Sequence, residues 1–328
     1  MKVIVDAMGG DNAPLEIIKG CAAAVQSQDV DILLVGDEQV IRKLAQEQGI
    51  SLARVEILHA SEVITMEEDP STAVRRKPDS SMAVGLKALA GGEGDAFISA
   101  GSTGALLTGA TLLVKRIKGV KRAALSPLLP GKDGPVMLID CGANVECTPE
   151  YLLQFGVMGS LYMKKVCGIA SPRVGLANIG TEECKGGDLQ RAALPLLTEG
   201  CDGFVGNVEP SNIPLGAVDV VVCDGFTGNI ILKTIEGMGK FLSGKVKEVF
   251  LKNTLTKLAA LAVKGGLKAF KSSLDASEAG GAPFLGISKP VIKAHGNSNA
   301  RAVECAVRQA KFFAQSGMIE EIGERFAK

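Results

Sequence analysis

Residues 95–109 read Asp95-Ala-Phe-Ile-Ser-Ala-Gly-Ser-Thr-Gly-Ala-Leu-Leu-Thr-Gly109, and the order of residue types in this stretch decides the fold. Ala96, Phe97 and Ile98 form a short apolar run of the kind that makes a buried strand. Ala100 to Thr103 are small and turn-forming, and from Gly104 the pattern is helical. A strand that turns through glycine and hydroxyl residues into a helix presents unpaired backbone N–H groups at the positive end of that helix. Such a turn can cradle a phosphate, with Ser102 and Thr103 adding hydroxyl donors. It can equally be a capped helix whose glycine permits close packing, and the stretch alone does not choose.

Outward from this centre, residues 219–231 repeat the plan of apolar strand, Gly-x-Thr-Gly turn and apolar helix start. Gly101-Ser-Thr-Gly104-Ala-Leu-Leu aligns with Gly225-Phe-Thr-Gly228-Asn-Ile-Ile without a gap. Two such turns could face one another across a cleft, one for phosphate and one for the group it reacts with. Elsewhere short apolar runs alternate with longer helical patterns, which predicts an α/β fold with a mostly parallel sheet flanked by helices. Strands are expected at residues 2–6, 31–36, 55–58, 135–140, 173–178 and 219–223, and several end in loops rich in Asp, Asn, Thr and Gly. Loops beyond the carboxyl ends of parallel strands are where α/β proteins build sites. Residues 61–79, polar and turn-rich, read as a mobile surface excursion, either a lid or a solvated loop.

Two basic segments stand out. The central helix is expected to end in a basic cluster, Lys115, Arg116, Lys118, Lys121 and Arg122, with no acid among them. A solvated helix end explains them, and so does a docking patch for an acidic partner. Residues 240–275 carry eight lysines against Glu248 and Asp275. Leu251, Leu255, Leu258 and Ala262 share one helical face there, and Leu267, Phe270 and Leu274 another beyond Gly265-Gly266. This predicts a protruding amphipathic helical hairpin hinged at the two glycines.

Composition bounds the rest. Lys+Arg and Asp+Glu both number 36, so net charge gives no sign of nucleic-acid binding. With no Trp and two Tyr, stacking platforms for bases are not expected. Residues 1–6 read as a strand rather than a signal peptide. The eight Cys are scattered singly and only His59 and His295 are available, so no metal site is expected and reduced thiols in the cytoplasm fit best. Neither Gly-x-Gly-x-x-Gly after a strand nor a P-loop is present, and there is no Gly-x-Ser-x-Gly elbow. A polar, anion-binding cleft remains, with Lys185 in a glycine-rich loop as its candidate cation and His295 in a loop near the end of the chain.

Taken together, these loops resemble the phosphate acyltransferase family PlsX. The stretches are Asp6-Ala-Met-Gly-Gly-Asp11, Ser99-Ala-Gly-Ser-Thr-Gly-Ala105, Asp140-Cys-Gly-Ala-Asn144, Asn178-Ile-Gly-Thr-Glu-Glu183 with Lys185-Gly186, Cys223-Asp-Gly-Phe-Thr-Gly-Asn229, Gly280-Gly-Ala-Pro283 and Lys293-Ala-His-Gly296. They occur in the family's order along nearly the whole chain. The departures are Phe284, where Leu is more usual, and Asn297, where Ser is. The resemblance implies one domain over residues 1–328 with two intertwined subdomains, a fold like isocitrate and isopropylmalate dehydrogenases and phosphotransacetylases, and a homodimer. It further implies transfer of a long acyl chain from acyl carrier protein to inorganic phosphate, feeding a membrane glycerol-3-phosphate acyltransferase.

On that reading Ser102, Thr103 and Gly104 bind phosphate, while Lys185, Asn229 and His295 are catalytic. Asp6, Asn144, Asp224 and Thr227 bind substrate, and no cofactor is required. The basic residues 115–122 dock acyl carrier protein. The hairpin either packs on that of a dimer partner through Leu251, Leu255 and Leu258, or its excess of lysines draws it to anionic lipid, where Leu267 and Phe270 touch the membrane reversibly. A phosphotransacetylase-like enzyme on small acyl-CoA, or a non-catalytic lipid-surface protein, are the alternatives.

Overall fold

The computed structural model describes residues 1–267 and 280–327. Two sheets organise it. The chain begins with β1 (Lys2–Asp6), α1 (Leu15–Ser27), β2 (Asp31–Gly36), α2 (Glu38–Glu47) and β3 (Val55–His59). The short α3 (Ala73–Arg76), α4 (Ser81–Gly91), β4 (Ala96–Ser99) and α5 (Thr103–Gly109) follow, and α5 runs on into a π-helical turn, Ala110–Val114. After β5 (Ala124–Leu125) the chain enters the second sheet with β6 (Leu128–Gly131), β7 (Gly134–Ile139), α6 (Pro149–Lys165), β8 (Val174–Ala177), α7 (Asp188–Gly200), β9 (Phe204–Val208) and β10 (Val220–Val222). Two helices, α8 (Gly225–Leu251) and α9 (Thr254–Ala262), precede the return through β11 (Ala282–Leu285), β12 (Val291–Lys293), α10 (Ala300–Gln315) and α11 (Met318–Phe326).

The first sheet has the order β3-β2-β1-β4-β12-β11-β5 and the second β6-β7-β10-β8-β9. Pairing is parallel except at β12–β11, β11–β5 and β6–β7. The returning strands β11 and β12 are thus seated inside the first sheet, between β4 and β5. The C-terminal helix α11 then crosses to the second core, where Met318 and Ile322 are buried with Tyr162 and Phe155 of α6. This is the expected α/β class with two intertwined subdomains.

The elements follow from residue type. In β1, Val3, Ile4 and Val5 are all buried, as a strand covered on both faces requires. Asp37 caps α2 by accepting from the amides of Gln39 and Val40 at 2.9 and 3.1 Å. Gly20 lets α1 press on α10, since a Cβ there would lie 2.6 Å from the Ala300 carbonyl. Tyr162 packs edge-on to Phe313 with ring centroids 5.4 Å apart, and its hydroxyl accepts from Gln309 at 2.9 Å, so α10 is fastened to α6.

Two expectations need correcting. The excursion at 61–79 is anchored: Ile64, Ala73 and Val74 are buried in the first core, and Lys77 pairs with Glu68 at 2.8 Å while also donating to the Val63 carbonyl. The first arm of the hairpin is itself broken at Lys252–Asn253, because Asn253 and Thr256 form a reciprocal cap that starts a new helix. A second break falls at Val263, two residues ahead of the glycines, with helix resuming over 264–267. The helix before the first break is one 27-residue element rooted in the second glycine-rich turn. Phe270 and the second predicted arm lie outside the described residues; Leu267 is half-buried.

Candidate active site

In an open parallel sheet the crevice lies beyond the strand carboxyl ends, where connections leave in opposite directions. Here β1 has β2 on one side and β4 on the other, and their ends carry Asp6 and Ser99. Asp6 is buried. Its carboxylate accepts from the Ser99 hydroxyl at 2.6 Å and from the amides of Met8 and Gly9 at 3.1 and 3.2 Å. The Ser99 oxygen accepts in turn from the Gly101 amide at 3.0 Å. Ser102 is the N-cap of α5, its hydroxyl accepting from Ala105 at 3.5 Å. Among the described residues, the amides of Thr103 and Gly104 donate to no protein acceptor.

Space around this turn is tight. A Cβ on Gly9 would sit 2.7 Å from the Gly101 nitrogen, and one on Gly104 would sit 2.7 Å from Pro70. The anchored 61–79 segment therefore forms one wall of the turn. His295 is exposed just past β12. Its Nδ1 accepts from the Asn297 amide at 3.3 Å, and the neighbouring Gly296 carbonyl accepts from Asp11 at 2.7 Å. Asp6, Ser102, Thr103, Gly104 and His295 thus belong to three loops at adjoining strand ends.

A residue that sequence reasoning passed over sits among them. Lys293, the last residue of β12, pairs in register with Ser99 and is 9% exposed. Its Nζ donates to the Ala100 carbonyl at 3.2 Å and to the Ala294 carbonyl. Burial draws its pKa down to about 8, opposed by the negative charges of Asp6 and Asp11. It lay inside the quoted Lys-Ala-His-Gly loop, but a lysine ending a strand reads as a surface residue.

The second sheet contributes a separate cluster. Asp140, fully buried at the end of β7, accepts from the amides of Leu125, Cys141, Ala143 and Asn144, the closest at 2.6 Å. Desolvation raises its pKa against these bonds. The Asn144 side chain bridges the Asp140 carboxylate and the Ala123 carbonyl, so it joins the two sheets. Asp224 caps α8, accepting from the Thr227 amide at 2.9 Å and the Thr227 hydroxyl at 2.8 Å. The side chains of Asn144, Asp224 and Thr227 are thereby engaged within the protein. Asn229 is exposed on the next turn, facing Gly142.

The echo between the two turns breaks at the caps. Ser102 caps one residue after Gly101, whereas Asp224 caps one residue before Gly225, so the aligned glycines sit two residues apart relative to their helix starts. Lys185 is exposed in a loop held by Asn178, whose Nδ2 donates to the Lys185 carbonyl at 3.1 Å. Its ammonium lies 3.8 Å from Glu182. Among the described residues, no hydrogen bond or ion pair joins Lys185 or Asn229 to the Ser102–Gly104 turn.

All five residues of the first basic cluster are exposed. The helix ends at Val114, and the cluster occupies an irregular crossing whose Ile117 and Val120 are buried in the second core. Arg116 and Arg122 both donate to the Lys121 carbonyl, and Arg122 stacks 5.4 Å from the Tyr151 ring centroid.

Comparison with known proteins bears on this geometry. A family model described as fatty acid synthesis protein matches residues 1–321. A phosphate acyltransferase from Acetivibrio thermocellus is 48% identical over 327 residues, 99% of this chain and 96% of its own. One from Thermoanaerobacter pseudethanolicus is 50% identical over 325 residues, 99% and 97% of the two chains. The chain belongs to the phosphate acyltransferase (PlsX) family. It is an acyltransferase, and the acceptor in this family is phosphate. Solved structures show how widely the family's fold is shared. A phosphotransacetylase from Streptococcus pyogenes matches with a TM-score of 0.69 at 16% identity, over 95% of this chain and 94% of its own. A 4-hydroxythreonine-4-phosphate dehydrogenase from Klebsiella pneumoniae matches at 0.56 and 13%, over 96% and 99%. At such identities the likeness concerns fold alone.

Proposed function

We propose that this chain takes a long-chain acyl group from acyl carrier protein and places it on inorganic phosphate. The acyl phosphate then serves phospholipid synthesis through a membrane glycerol-3-phosphate acyltransferase. The observation that carries the reading is the turn at residues 99–104. Two amides there lack protein acceptors, the turn opens at the carboxyl ends of β1 and β4, and a buried ammonium lies beside it. That arrangement suits an anion.

In the reaction, an oxygen of hydrogen phosphate attacks the thioester carbonyl carbon, the C–S bond breaks, and the departing thiolate ends with the proton that the phosphate gives up. Phosphate is anionic near neutral pH and a thiolate leaves readily, so alignment and oxyanion stabilisation are the main tasks. Ser102, Thr103 and Gly104 hold phosphate, Lys185 neutralises it, Asn229 donates to the oxyanion and His295 passes a proton to the departing thiolate. Asp6, Asn144, Asp224 and Thr227 fix the walls of the substrate site. For Lys185 and Asn229 to act on phosphate, the Lys185 loop and the 99–104 turn must draw together with the first turn of α8 once substrate is bound.

Lys115, Arg116, Lys118, Lys121 and Arg122, on a crossing anchored in the core, offer acyl carrier protein a rigid basic surface. From Met238 outward α8 exposes Phe241, Leu242, Val249 and Leu251, and α9 exposes Leu255, Leu258 and Leu261. So much open apolar surface calls for a partner, and a second copy of the chain together with reversible membrane contact would supply it. No helix among the described residues is long and apolar enough to cross a membrane.

The test is acyl-phosphate formation, trapped as hydroxamate, with long-chain acyl carrier protein or short-chain acyl-CoA as donor. Product from the carrier-protein donor alone supports the reading. Product from the short acyl-CoA alone replaces it with a phosphotransacetylase-type activity.

A further inference from the structure

We propose that Lys293 is a positioning residue for phosphate: its buried ammonium holds the Ala100 carbonyl, so that the amides of Thr103 and Gly104 are presented to the anion. The proposal rests on reading the 99–104 turn as the phosphate subsite. Lys293 ends β12, with β4 on one side, where it pairs with Ser99, and β11 on the other, where it pairs with Ala282. From there its Nζ reaches the Ala100 carbonyl of the neighbouring strand's loop and the Ala294 carbonyl of its own.

Burying an ammonium is costly unless its donors are used and a counter-charge is near. Two of its three donors go to carbonyls. No carboxylate forms an ion pair with it among the described residues; the charged groups that face it are Asp6, ending β1, and Asp11 in the loop beyond. The strands on either side contribute none. An apolar residue would fill this strand end at less cost, so the charge is retained against stability at the mouth of a site. Asp6 grips the Ser99 hydroxyl, and that oxygen accepts from Gly101. Asp6 and Lys293 therefore pin consecutive parts of the same turn, one by accepting and the other by donating. A second consequence concerns pH: with its pKa drawn to about 8, the ammonium loses its charge within the range of ordinary assays.

The experiment is steady-state kinetics with phosphate and acyl donor varied in turn, on wild type, Lys293→Met and Lys293→Arg, with melting curves for each. Lys293→Met is expected to raise KM for phosphate about tenfold or more, as loss of a charge-assisted hydrogen bond would. KM for the acyl donor should change less than about twofold. Above about pH 8 the wild type should lose phosphate affinity faster than Lys293→Arg, which stays charged; phosphate itself titrates alike in both. An unchanged phosphate KM in folded Lys293→Met, or equal rises in both KM values, overturns the inference. If Lys293→Met fails to fold, superimposable pH profiles for wild type and Lys293→Arg overturn it. If neither variant folds, a wild-type phosphate KM that is flat across pH 8 does so. Absence of phosphate saturation in the wild type overturns the underlying reading and the inference with it.

Discussion

Gly228 shows how little room single residues leave where α8 meets the end of β7. A Cβ there would lie 1.9 Å from the Asp140 carbonyl oxygen, which is backbone and cannot move aside cheaply. Gly228→Ala is expected to cost about 1–3 kcal/mol or more, read as a lowered urea midpoint with an unchanged slope. Lys185 and Asn229 should behave oppositely. Both are exposed, so Lys185→Ala and Asn229→Ala should melt as the wild type does while turnover falls on the order of 100- to 1,000-fold; losses below about tenfold in both would move the chemistry elsewhere. Lys293 splits stability from affinity. Its folded pKa of about 8 lies below the unfolded value of 10.5, so between them the unfolded chain binds more protons and this group's contribution to stability rises with pH. Thiols such as Cys21 and Cys141, pushed up to about 12, pull the other way above pH 9. The unfolding free energy of wild type minus that of Lys293→Met, followed from about pH 7.5 to 10, should therefore climb. At this scale the sequence displayed residue types but not their engagement. Asn144 and Asp224 stand in polar loops as a ligand would, and only the fold shows their side chains spent on Ala123, Asp140 and Thr227.

Among elements, the strand–turn–helix at 95–109 was fully legible, because apolar run, small turn and helical periodicity are local signals. The likeness of its echo was legible too, but not the shift in capping, since Ser102 and Asp224 are both good caps and the alignment offers no way to choose. A break near Gly265-Gly266 was legible, since helix stops at Val263 and resumes at 264, but the earlier one was not: Asn253 and Thr256 stop and restart a helix through two hydrogen bonds of 3.0 and 2.9 Å. The basic crossing is anchored by Ile117 and Val120, so charge can be reversed there without touching the core. Lys118→Glu with Lys121→Glu should raise KM for acyl carrier protein, weaken its salt dependence and leave KM for phosphate alone. Unchanged salt dependence would return the cluster to the role of a solvated face. On α8, Phe241→Glu with Leu242→Glu should shift sedimentation equilibrium toward monomer. Vesicle binding in Leu267→Glu and Phe270→Glu reports separately on the membrane; survival of binding in both would leave the helices a dimer element only.

At the scale of the molecule, alternation of strand and helix was enough to reveal the class, but not the sheet order, because pairing between β4 and β12 joins residues as distant as Phe97 and Val291. Nothing local in either strand announces the other. That seating of late strands inside the early sheet also gives the chain a schedule. As it is synthesised, Ala96–Ser99 emerges some 10–40 s before its outer neighbour at rates of about 5–20 residues per second. For that interval a buried-type strand has an open edge, the usual template for unwanted pairing. Newborn chains of this protein are therefore most at risk between the synthesis of β4 and that of β12, which brings Lys293. A product stalled before residue 291 lacks β12, so the edge of β4 stays open and the 99–104 turn goes without the bond that Lys293 makes to the Ala100 carbonyl.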